Sequence, residues 1–375
     1  MTRARRRWLP ALLLPFALAI AVVFGAVQAG ASVSLPPKSA EEIVAMIART
    51  EVRALSGTVE QDAGLGLPEL PASGQGAVPG AASALEFLTG SHTARVYVDG
   101  PLKARLQILD QMAERDVVIN GGDAWFYNSQ DNSATHLTVP APEMPAQNIP
   151  TPEMPTQEIP TPEAMAGRFL AAIDAGTEVT VAEASSVAGQ SVYSLLLNPR
   201  STETLVDSVS IDVDSETGLP LRVEVRAKGQ AEPAYSLAYT QLDLSRPDPA
   251  LFAFTPPQGA TVTEKVVPAK PDRPTPDGPP APEAQATPGH GSPGDDSRSH
   301  GVTVTGHGWD SVIALPAGSA PAEFTSNPQL SQALQPVDGG RALTTSLLSV
   351  LILDDGRVYA GMVPLERLQS AAAAR

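Results

Sequence analysis

Histidine and aspartate are the residue types in this chain most able to bind a metal ion or to move protons. The five histidines are His92, His136, His290, His300 and His307. The last three lie near Asp295 and Asp296 in a stretch rich in proline and glycine. No pair among them has the spacing that a helix or a hairpin gives to metal ligands. We interpret these residues as solvated and predict no metal site.

Catalytic sequence patterns are also missing. The sequence contains no Gly-x-Ser-x-Gly elbow, no glycine-rich phosphate loop and no His-Glu-x-x-His motif. Asp212 and Asp214 alternate with apolar residues, which predicts a solvated strand face for both. Arg95 and Arg222 are candidate groups at the rim of a binding site, but a solvent-facing position is favoured for each. We predict a protein that is not an enzyme and has no cofactor.

Composition excludes several further classes of function. The chain has 375 residues, a formal net charge of -16 and no cysteine. Without cysteine there is no disulfide, no thiolate metal site and no lipidated cysteine anchor. Nucleic acid is excluded as a partner, because binding to phosphates depends on clustered Lys and Arg. The bias toward alanine, proline and glycine is typical of an actinobacterial protein.

Residues 1–31 predict a signal for export. Arginines cluster within residues 3–7, an uncharged run follows over residues 8–27, and small residues near Ala29 suit cleavage by signal peptidase. Pro10 and Pro15 interrupt the run, which favours a cleaved signal peptide over a retained N-terminal membrane anchor. We expect an extracytoplasmic protein, either secreted or in the cell envelope, and membrane-tethered if the segment is not cleaved.

The pattern most typical of a defined fold runs from residue 207 to residue 262. Apolar and polar residues alternate over 208–213 and again over 221–226, with turn residues between them. This predicts an antiparallel hairpin that buries one face. A third strand over 234–244 and the sequence Asp-Pro-Ala-Leu-Phe-Ala-Phe-Thr-Pro-Pro-Gln-Gly at 248–259 follow.

This order of strands, with the turn Asp-x-x-Thr-Gly-Leu-Pro-Leu-Arg and the motif Asp-x-x-Leu-Phe-x-Phe-x-Pro-Pro-x-Gly, resembles the bacterial LolA-like superfamily. The superfamily includes outer-membrane lipoprotein carriers, LppX-type lipid-binding lipoproteins and periplasmic MucB/RseB regulators. The likeness covers residues 38–265 and includes Gly-Asp-Ala-Trp-Phe-Tyr at 122–127. It implies an α+β fold in which a curved antiparallel sheet forms an incomplete (half) β-barrel covered by short helices.

Helices are predicted at 39–49, 82–88 and 162–174. Ser39 is the predicted N-cap of the first helix, and Pro162 begins the last. Strands are predicted at 54–61, 93–98, 102–109, 113–120, 124–128, 133–139, 178–184, 191–198 and 203–213.

Several segments have low complexity. A Gly- and Pro-rich insertion occupies 62–80, and a tandem Pro-Glu-Met repeat occupies 142–161. A spacer is the favoured interpretation of the repeat, and the alternative is a flap over a cavity that uses Met144, Ile149, Met154 and Ile159. The composition of residues 266–301 predicts a disordered linker, because the segment contains few large apolar side chains. Residues 302–370 predict a small C-terminal β-rich appendage of hairpins and a helix, which either folds alone or docks on the main sheet.

The resemblance implies a hydrophobic ligand cavity on the concave side of the sheet. The predicted lining is Val96, Val98, Leu106, Ile108, Trp125, Tyr127, Leu195, Leu197, Val209, Ile211, Val223, Val225, Leu237 and Tyr239. The predicted lid residues on the three helices are Met46, Ile47, Leu85, Phe87, Leu88, Phe169, Leu170 and Ile173. The pattern alone favours equally the alternative, in which the helices pack tightly on the sheet and the interior is a dry hydrophobic core without a cavity.

We therefore expect a non-enzymatic carrier that binds the acyl chains of a lipid or lipoprotein. Burial of each methylene contributes ~0.8 kcal/mol, so a chain of about sixteen carbons gives on the order of 12 kcal/mol before ordering costs. The alternative is a regulatory sensor of the MucB/RseB type that binds a membrane protein partner through the linker and the appendage. An accessory domain of an enzyme is a weaker third interpretation.

Overall fold

The computed structural model describes residues 34–67, 89–109, 113–138, 161–266, 302–319 and 328–374. The predicted signal segment, residues 68–80 of the insertion, the short helix at 82–88, residues 142–160 of the tandem repeat and residues 267–301 of the linker lie outside these described residues. Among the helices within the described ranges, none is long and apolar enough to cross a membrane.

The described residues form mostly β-sheet with few helices. The helices are α1 (Ala40–Ala48), α2 (Pro162–Ala171), α3 (Pro328–Ala333) and α4 (Leu365–Ala373). The strands are β1 (Ala54–Ala63), β2 (Gly90–Asp99), β3 (Lys103–Leu109), β4 (Glu114–Asn120), β5 (Asp123–Asn128), β6 (Ser133–Thr138), β7 (Thr177–Val181), β8 (Ser185–Val187), β9 (Gln190–Pro199), β10 (Val206–Asp214), β11 (Pro220–Ala227), β12 (Tyr235–Asp243), β13 (Thr261–Val266), β14 (Thr303–Thr305), β15 (Val312–Leu315), β16 (Gln335–Val337), β17 (Gly340–Thr344), β18 (Ser349–Leu353) and β19 (Val358–Gly361).

The large sheet is open and has 13 strands, in the order β13-β6-β5-β4-β3-β2-β1-β12-β11-β10-β9-β7, with β8 paired to β9. Strands β1 to β6 form one antiparallel meander, and β9 to β12 form a second. The two meanders join where β1 pairs with β12. Among the described strands of this sheet, β13 is the only one paired in parallel, and it lies beside β6.

The alternation of apolar and polar residues along the strands produces the buried face of the second meander. In β11, Leu221 and Val223 are fully buried, whereas Arg222 and Glu224 between them point to the opposite face. The predicted hairpin of β10 and β11 is confirmed by their antiparallel register. Gly218 in the turn has φ +75, and a Cβ added there would lie 2.5 Å from the Met46 carbonyl oxygen. Only glycine therefore allows this turn to pack against α1.

Helices α1 and α2 start where the sequence predicts. Ser39 caps α1 in a capping box with Glu42. Thr161 caps α2, and Pro162 occupies its first turn. Ile43 on α1 and Ala166 on α2 are fully buried in the hydrophobic cluster on the apolar face of the large sheet. Both helices thus cover the face that alternation makes apolar.

A second, six-stranded sheet has the order β14-β15-β19-β18-β17-β16. Helix α4 packs on one face of it through Leu368, which is fully buried beside Leu351 and Tyr359. The short hairpin of β16 and β17 was not predicted, because Gln335–Val337 shows no apolar alternation.

The second sheet docks on the first. The indole Nε1 of Trp309 donates to Thr177 Oγ1 at 2.8 Å, and the Trp309 ring stacks on Phe169 of α2 with 6.0 Å between centroids. The Leu205 amide donates to the Met362 carbonyl oxygen at 2.8 Å. Trp309 is 7% exposed and belongs to the main hydrophobic cluster. These contacts join the second sheet to the first.

Trp309→Ala should therefore destabilise the whole chain. We expect the free energy of unfolding in urea to fall by about 3–5 kcal/mol, because a buried ring is lost and Thr177 loses its donor. Trp309→Phe, which keeps an aromatic ring at this position but removes the donor and part of the buried ring volume, should cost less, about 1–3 kcal/mol. Equal stability of wild type and Trp309→Ala would show that the docking contact contributes nothing.

Candidate functional site

Most of the predicted cavity residues lie on one face of the large sheet. Val96 is paired with Leu106, Val209 with Val225, and Val223 with Leu237, so their side chains point the same way. The residues on this apolar face are Val96, Val98, Leu106, Ile108, Leu195, Leu197, Val209, Ile211, Val223, Val225, Leu237 and Tyr239.

Trp125 and Tyr127 lie on the outer, opposite face, which corrects their predicted position. The turn pairs Asn120 with Asp123, and this register places Phe126 opposite Val117. Val117 is also paired with Leu106, so Phe126 shares the apolar face while Trp125 does not. Trp125, Phe126 and Tyr127 are all aromatic. Hydrophobicity alone therefore does not indicate whether Phe126 or its two neighbours point toward the apolar face.

The apolar face is closely packed over the second meander. Leu195, Ile211 and Val223 are each 0% exposed. The predicted lid residues Met46, Ile47, Phe169, Leu170 and Ile173 are partly buried against the same cluster. The other three, Leu85, Phe87 and Leu88, lie outside the described residues. Beneath α1 and α2 the face is therefore closed by side chains.

The apolar face continues beyond the two helices. Helix α1 lies mainly against β7 and β9, and α2 against β11 and β12. Val96, Leu106 and Ile108, on the first meander, are nevertheless only 4–7% exposed, and Val98 and Val117 beside them are partly buried. These five side chains form a second apolar region, which we call the β2–β4 patch.

A hydrogen bond between two buried side chains, Tyr239 and Glu163, lies within the apolar face. The Tyr239 hydroxyl donates to Glu163 Oε1 at 2.8 Å and fixes the first turn of α2 to β12. Burial raises the pKa of Glu163, and burial together with the adjacent Glu163 raises the pKa of Tyr239 well above its ordinary value. Burial also raises the pKa of Tyr235 to about 12. Sequence reasoning missed this contact because Glu163 is also a typical residue for the first turn of a helix.

The motif at 248–259 covers the outer face of the first meander. Phe252 is 1% exposed, and the Phe254 ring lies 5.4 Å from Trp125 and 5.8 Å from Tyr127 between centroids. Arg105 forms two hydrogen bonds with the Asp116 carboxylate, at 3.0 and 2.6 Å, and a third with the Leu251 carbonyl oxygen. Burial raises the pKa of Asp116, and the Arg105 guanidinium opposes that rise. This motif therefore has a structural role.

The acidic residues of β10 are not solvated, in contrast to the prediction. Asp212 is 2% exposed, accepts a hydrogen bond from Ser194 and pairs with Arg222 on the neighbouring strand. Asp214 is 3% exposed and accepts from the Thr217 amide and hydroxyl in the turn. Arg222 is thus a structural partner on the outer face, where Arg95 also lies, and neither forms a rim to the apolar face.

No metal-binding group of three or more His, Asp or Glu side chains occurs in the part of the chain that the structure describes. His92 contacts the Thr89 carbonyl oxygen, and His136 lies between Asp123 and Glu264. His290, His300, Asp295 and Asp296 lie outside the described residues.

Two surface clefts of the described residues lie away from the apolar face. A cleft of about 430 Å³ lies between α4 and the turns of the second sheet, beside Asp338, Asp354 and Arg357. Another, of about 510 Å³, lies between α1 and the turn at Glu216–Gly218. Neither contains a residue of the predicted lining.

Removing the Tyr239 hydroxyl should loosen α2. Tyr239→Phe should lower the free energy of unfolding by about 1–3 kcal/mol, since a buried carboxyl loses its donor. Because the pKa of Glu163 is raised on folding, the folded protein binds more protons than the unfolded one above pH 4.5. Stability from this group is therefore present at low pH and is lost as pH rises through the folded pKa.

Glu163→Gln should remove that component of the pH dependence, as measured by urea unfolding between pH 4 and pH 8. An unchanged pH profile in Glu163→Gln would contradict the assignment. Glu42→Gln, at the exposed end of α1, is the matched control.

Comparison with known proteins found similarity only at the level of solved structures. No protein-family model matches the sequence, and no curated protein matches it. The complex of MucA and MucB from Pseudomonas aeruginosa is 15% identical over 89% of this chain and 96% of that chain, with a TM-score of 0.42. A LolA superfamily protein from Nitrosomonas europaea is 12% identical over 58% of this chain and 99% of that chain, with a TM-score of 0.23.

A DUF1329 family protein from Desulfovibrio piger is 11% identical over 57% of this chain and 95% of that chain, with a TM-score of 0.23. These matches give no support to the actinobacterial origin that composition suggested. MucB and the LolA superfamily, both named in the predicted resemblance, are among the matching structures, and the likeness concerns the fold alone.

Proposed function

We propose that this chain is an exported, non-enzymatic protein that binds the acyl chains of a lipid or lipoprotein on the concave apolar side of a half β-barrel. The observation that carries the proposal is the extension of the apolar face past α1 and α2 onto the β2–β4 patch. Val96, Leu106 and Ile108 of this patch are buried although neither helix lies mainly over them, and an acyl chain is chemically suited to replace what covers them.

The packing of the face determines how an acyl chain would enter. Side chains under α1 and α2 are already 0% exposed at Leu195 and Val223, so a ligand there must displace a helix. At the β2–β4 patch, Val98 and Val117 are only partly buried, so entry there requires less rearrangement. We place the first contact of the acyl chain at this patch and its deeper part toward α2.

The polar groups near the face favour binding over catalysis. Tyr239 and Glu163 bond to each other, and the buried Asp116 and Asp212 pair with arginines on the outer face. General acid-base catalysis needs a group that can reach a substrate. In the described residues, each of these buried acids has a structural partner instead.

A second candidate function is regulatory, through a membrane protein partner that contacts the second sheet. It is favoured by the Trp309 ring, which joins the second sheet directly to Phe169 on α2. A ligand that moves α2 would disturb this contact, so binding at the two places would be thermodynamically linked. Export through the N-terminal segment is part of both proposals.

Leu106→Glu tests the carrier proposal. The full chain, purified from its own host without denaturant and extracted with solvent, should yield stoichiometric acylated molecules by mass spectrometry. Leu106→Glu should reduce this yield at least about tenfold, because a charge is placed in the apolar face. The matched control is Leu102→Glu, whose position is 42% exposed and which should retain the lipid.

Val98→Trp provides an uncharged test in case Leu106→Glu does not fold. Its larger side chain should fill the patch and reduce uptake of a fluorescent fatty acid, with circular dichroism confirming the fold. An empty wild-type protein that also fails to bind the fatty acid would overturn the carrier proposal. Capture of a membrane protein that Trp309→Ala abolishes would then support the regulatory function.

A further inference from the structure

One arginine lies on the apolar face of the large sheet, at the border of the β2–β4 patch. The register of β3 with β4 places Arg115 directly opposite Ile108, and Ile108 is opposite Ala94 on β2. Side chains directly opposite each other in an antiparallel pair leave the sheet on the same side, with about 5 Å between their Cβ atoms. Arg115 therefore shares the face of the patch, where it is partly buried.

The rows of paired residues across the strands show where the apolar patch ends. The row through Leu106 stays apolar across β4 and β5, with Val117 and Phe126. The neighbouring row, through Ile108, becomes polar over the next three strands. Its polar members are Arg115, Asn128 and Ser133. This part of the face thus joins an apolar region to a polar one, as a lipid joins an acyl chain to a headgroup.

Charges are divided between the two faces of these strands. Alternation places every carboxylate of β2 to β6 and β13 on the outer face. These are Asp99, Glu114, Asp116, Asp123 and Glu264. Among the described Lys, Arg, Asp and Glu residues of these strands, Arg115 and Lys265 alone lie on the apolar face. Although the whole chain has a net charge of -16, these strands therefore present positive charge on this face, which attracts an anion.

The chemistry of arginine suits an anionic headgroup beside an apolar surface. The guanidinium has five N–H donors in a planar fork that matches two oxygens of a phosphate or carboxylate. Its methylene stem can lie along apolar neighbours while the charged end reaches polar surroundings. Arg115 also interacts within the protein. Even a partner that accepts two hydrogen bonds would occupy only two of the five donors, so this interaction is compatible with a bound anion.

We propose that Arg115 selects the ligand of the apolar face by charge. The ligand is an acylated molecule with a phosphate or carboxylate headgroup, which pairs with Arg115 while the acyl chain lies on the β2–β4 patch. This inference rests on the proposed lipid binding and adds the charge of the ligand to it. From β4 to β12, over which α2 lies, there are four strand spacings, or about 19 Å, a distance that a long acyl chain can span.

The test compares two lipids that differ by one phosphate, lysophosphatidic acid and a monoacylglycerol with the same acyl chain. Dissociation constants are measured by calorimetry on the full chain, below the concentration at which either lipid forms micelles. Wild type should bind the acid about tenfold more tightly, because hydrogen bonds to a charged group contribute more than those to a neutral one. Glycerol phosphate, which has the anion without the acyl chain, should bind at least about a hundredfold more weakly than the acid.

Arg115→Gln should remove the preference for the acid. The affinity for lysophosphatidic acid should fall about tenfold, to that for the monoacylglycerol, which should not change. Arg95→Gln is the matched control, since it removes the same charge from the outer face and should leave both affinities unchanged.

Asn128→Asp provides a second variant in case Arg115→Gln does not fold. Asn128 lies directly opposite Arg115, and its Oδ1 accepts a hydrogen bond from the Gln130 amide, which an aspartate can also accept. The added carboxylate should compete for the guanidinium and lower the affinity for the acid about three- to tenfold, without changing that for the neutral lipid.

Equal affinity of wild type for the two lipids would overturn the role of Arg115 and leave lipid binding intact. Failure of wild type to bind either lipid would overturn both proposals. An unchanged preference in Arg115→Gln and in Asn128→Asp would contradict the role of Arg115 alone. So would glycerol phosphate that binds as tightly as the acid, because the anion site would then not need an acyl chain.

Discussion

The exclusion of one continuous apolar face from water is the constraint on which the structure depends. Alternation in β9 to β12 and in β1 to β4 puts valine, leucine and isoleucine on the same side of the large sheet. Two short helices and Trp309 of the second sheet cover the second meander. The need to keep this face out of water therefore explains the positions of α1, α2 and the second sheet. The same need applies to the β2–β4 patch, over which neither helix mainly lies.

The outer face combines ion pairs with the aromatic contacts of the motif at 248–259. Asp116 and Asp212 are nearly inaccessible, and each is paired with an arginine across a strand boundary. Removing one partner from such a pair leaves a buried charge, which is far more costly than the net gain from the pair. These contacts therefore specify the register of β3 with β4 and of β10 with β11.

The sequence predicts the local features well. The turn at Asp214–Gly218, the cap at Ser39 and the start of α2 at Pro162 depend on neighbouring residues, and all occur as expected. Features that depend on strand register were not predicted, because register is set by contacts between strands that are distant in the sequence. Two examples are the outward position of Trp125 and the burial of Asp212 beside Arg222. Contacts such as Tyr239 with Glu163 join residues 76 positions apart and leave no local signal.

The seam between the two meanders has a consequence for the order of assembly. Strand β1 is made near the start of the chain, yet its neighbour β12 follows after a long interval, and Thr240 bonds to Thr58 across 182 positions. Closing so long a loop is slow compared with forming either meander. During folding, β1 must therefore wait with one side unpaired until β12 reaches it, and this unpaired edge can pair with another chain and so promote aggregation.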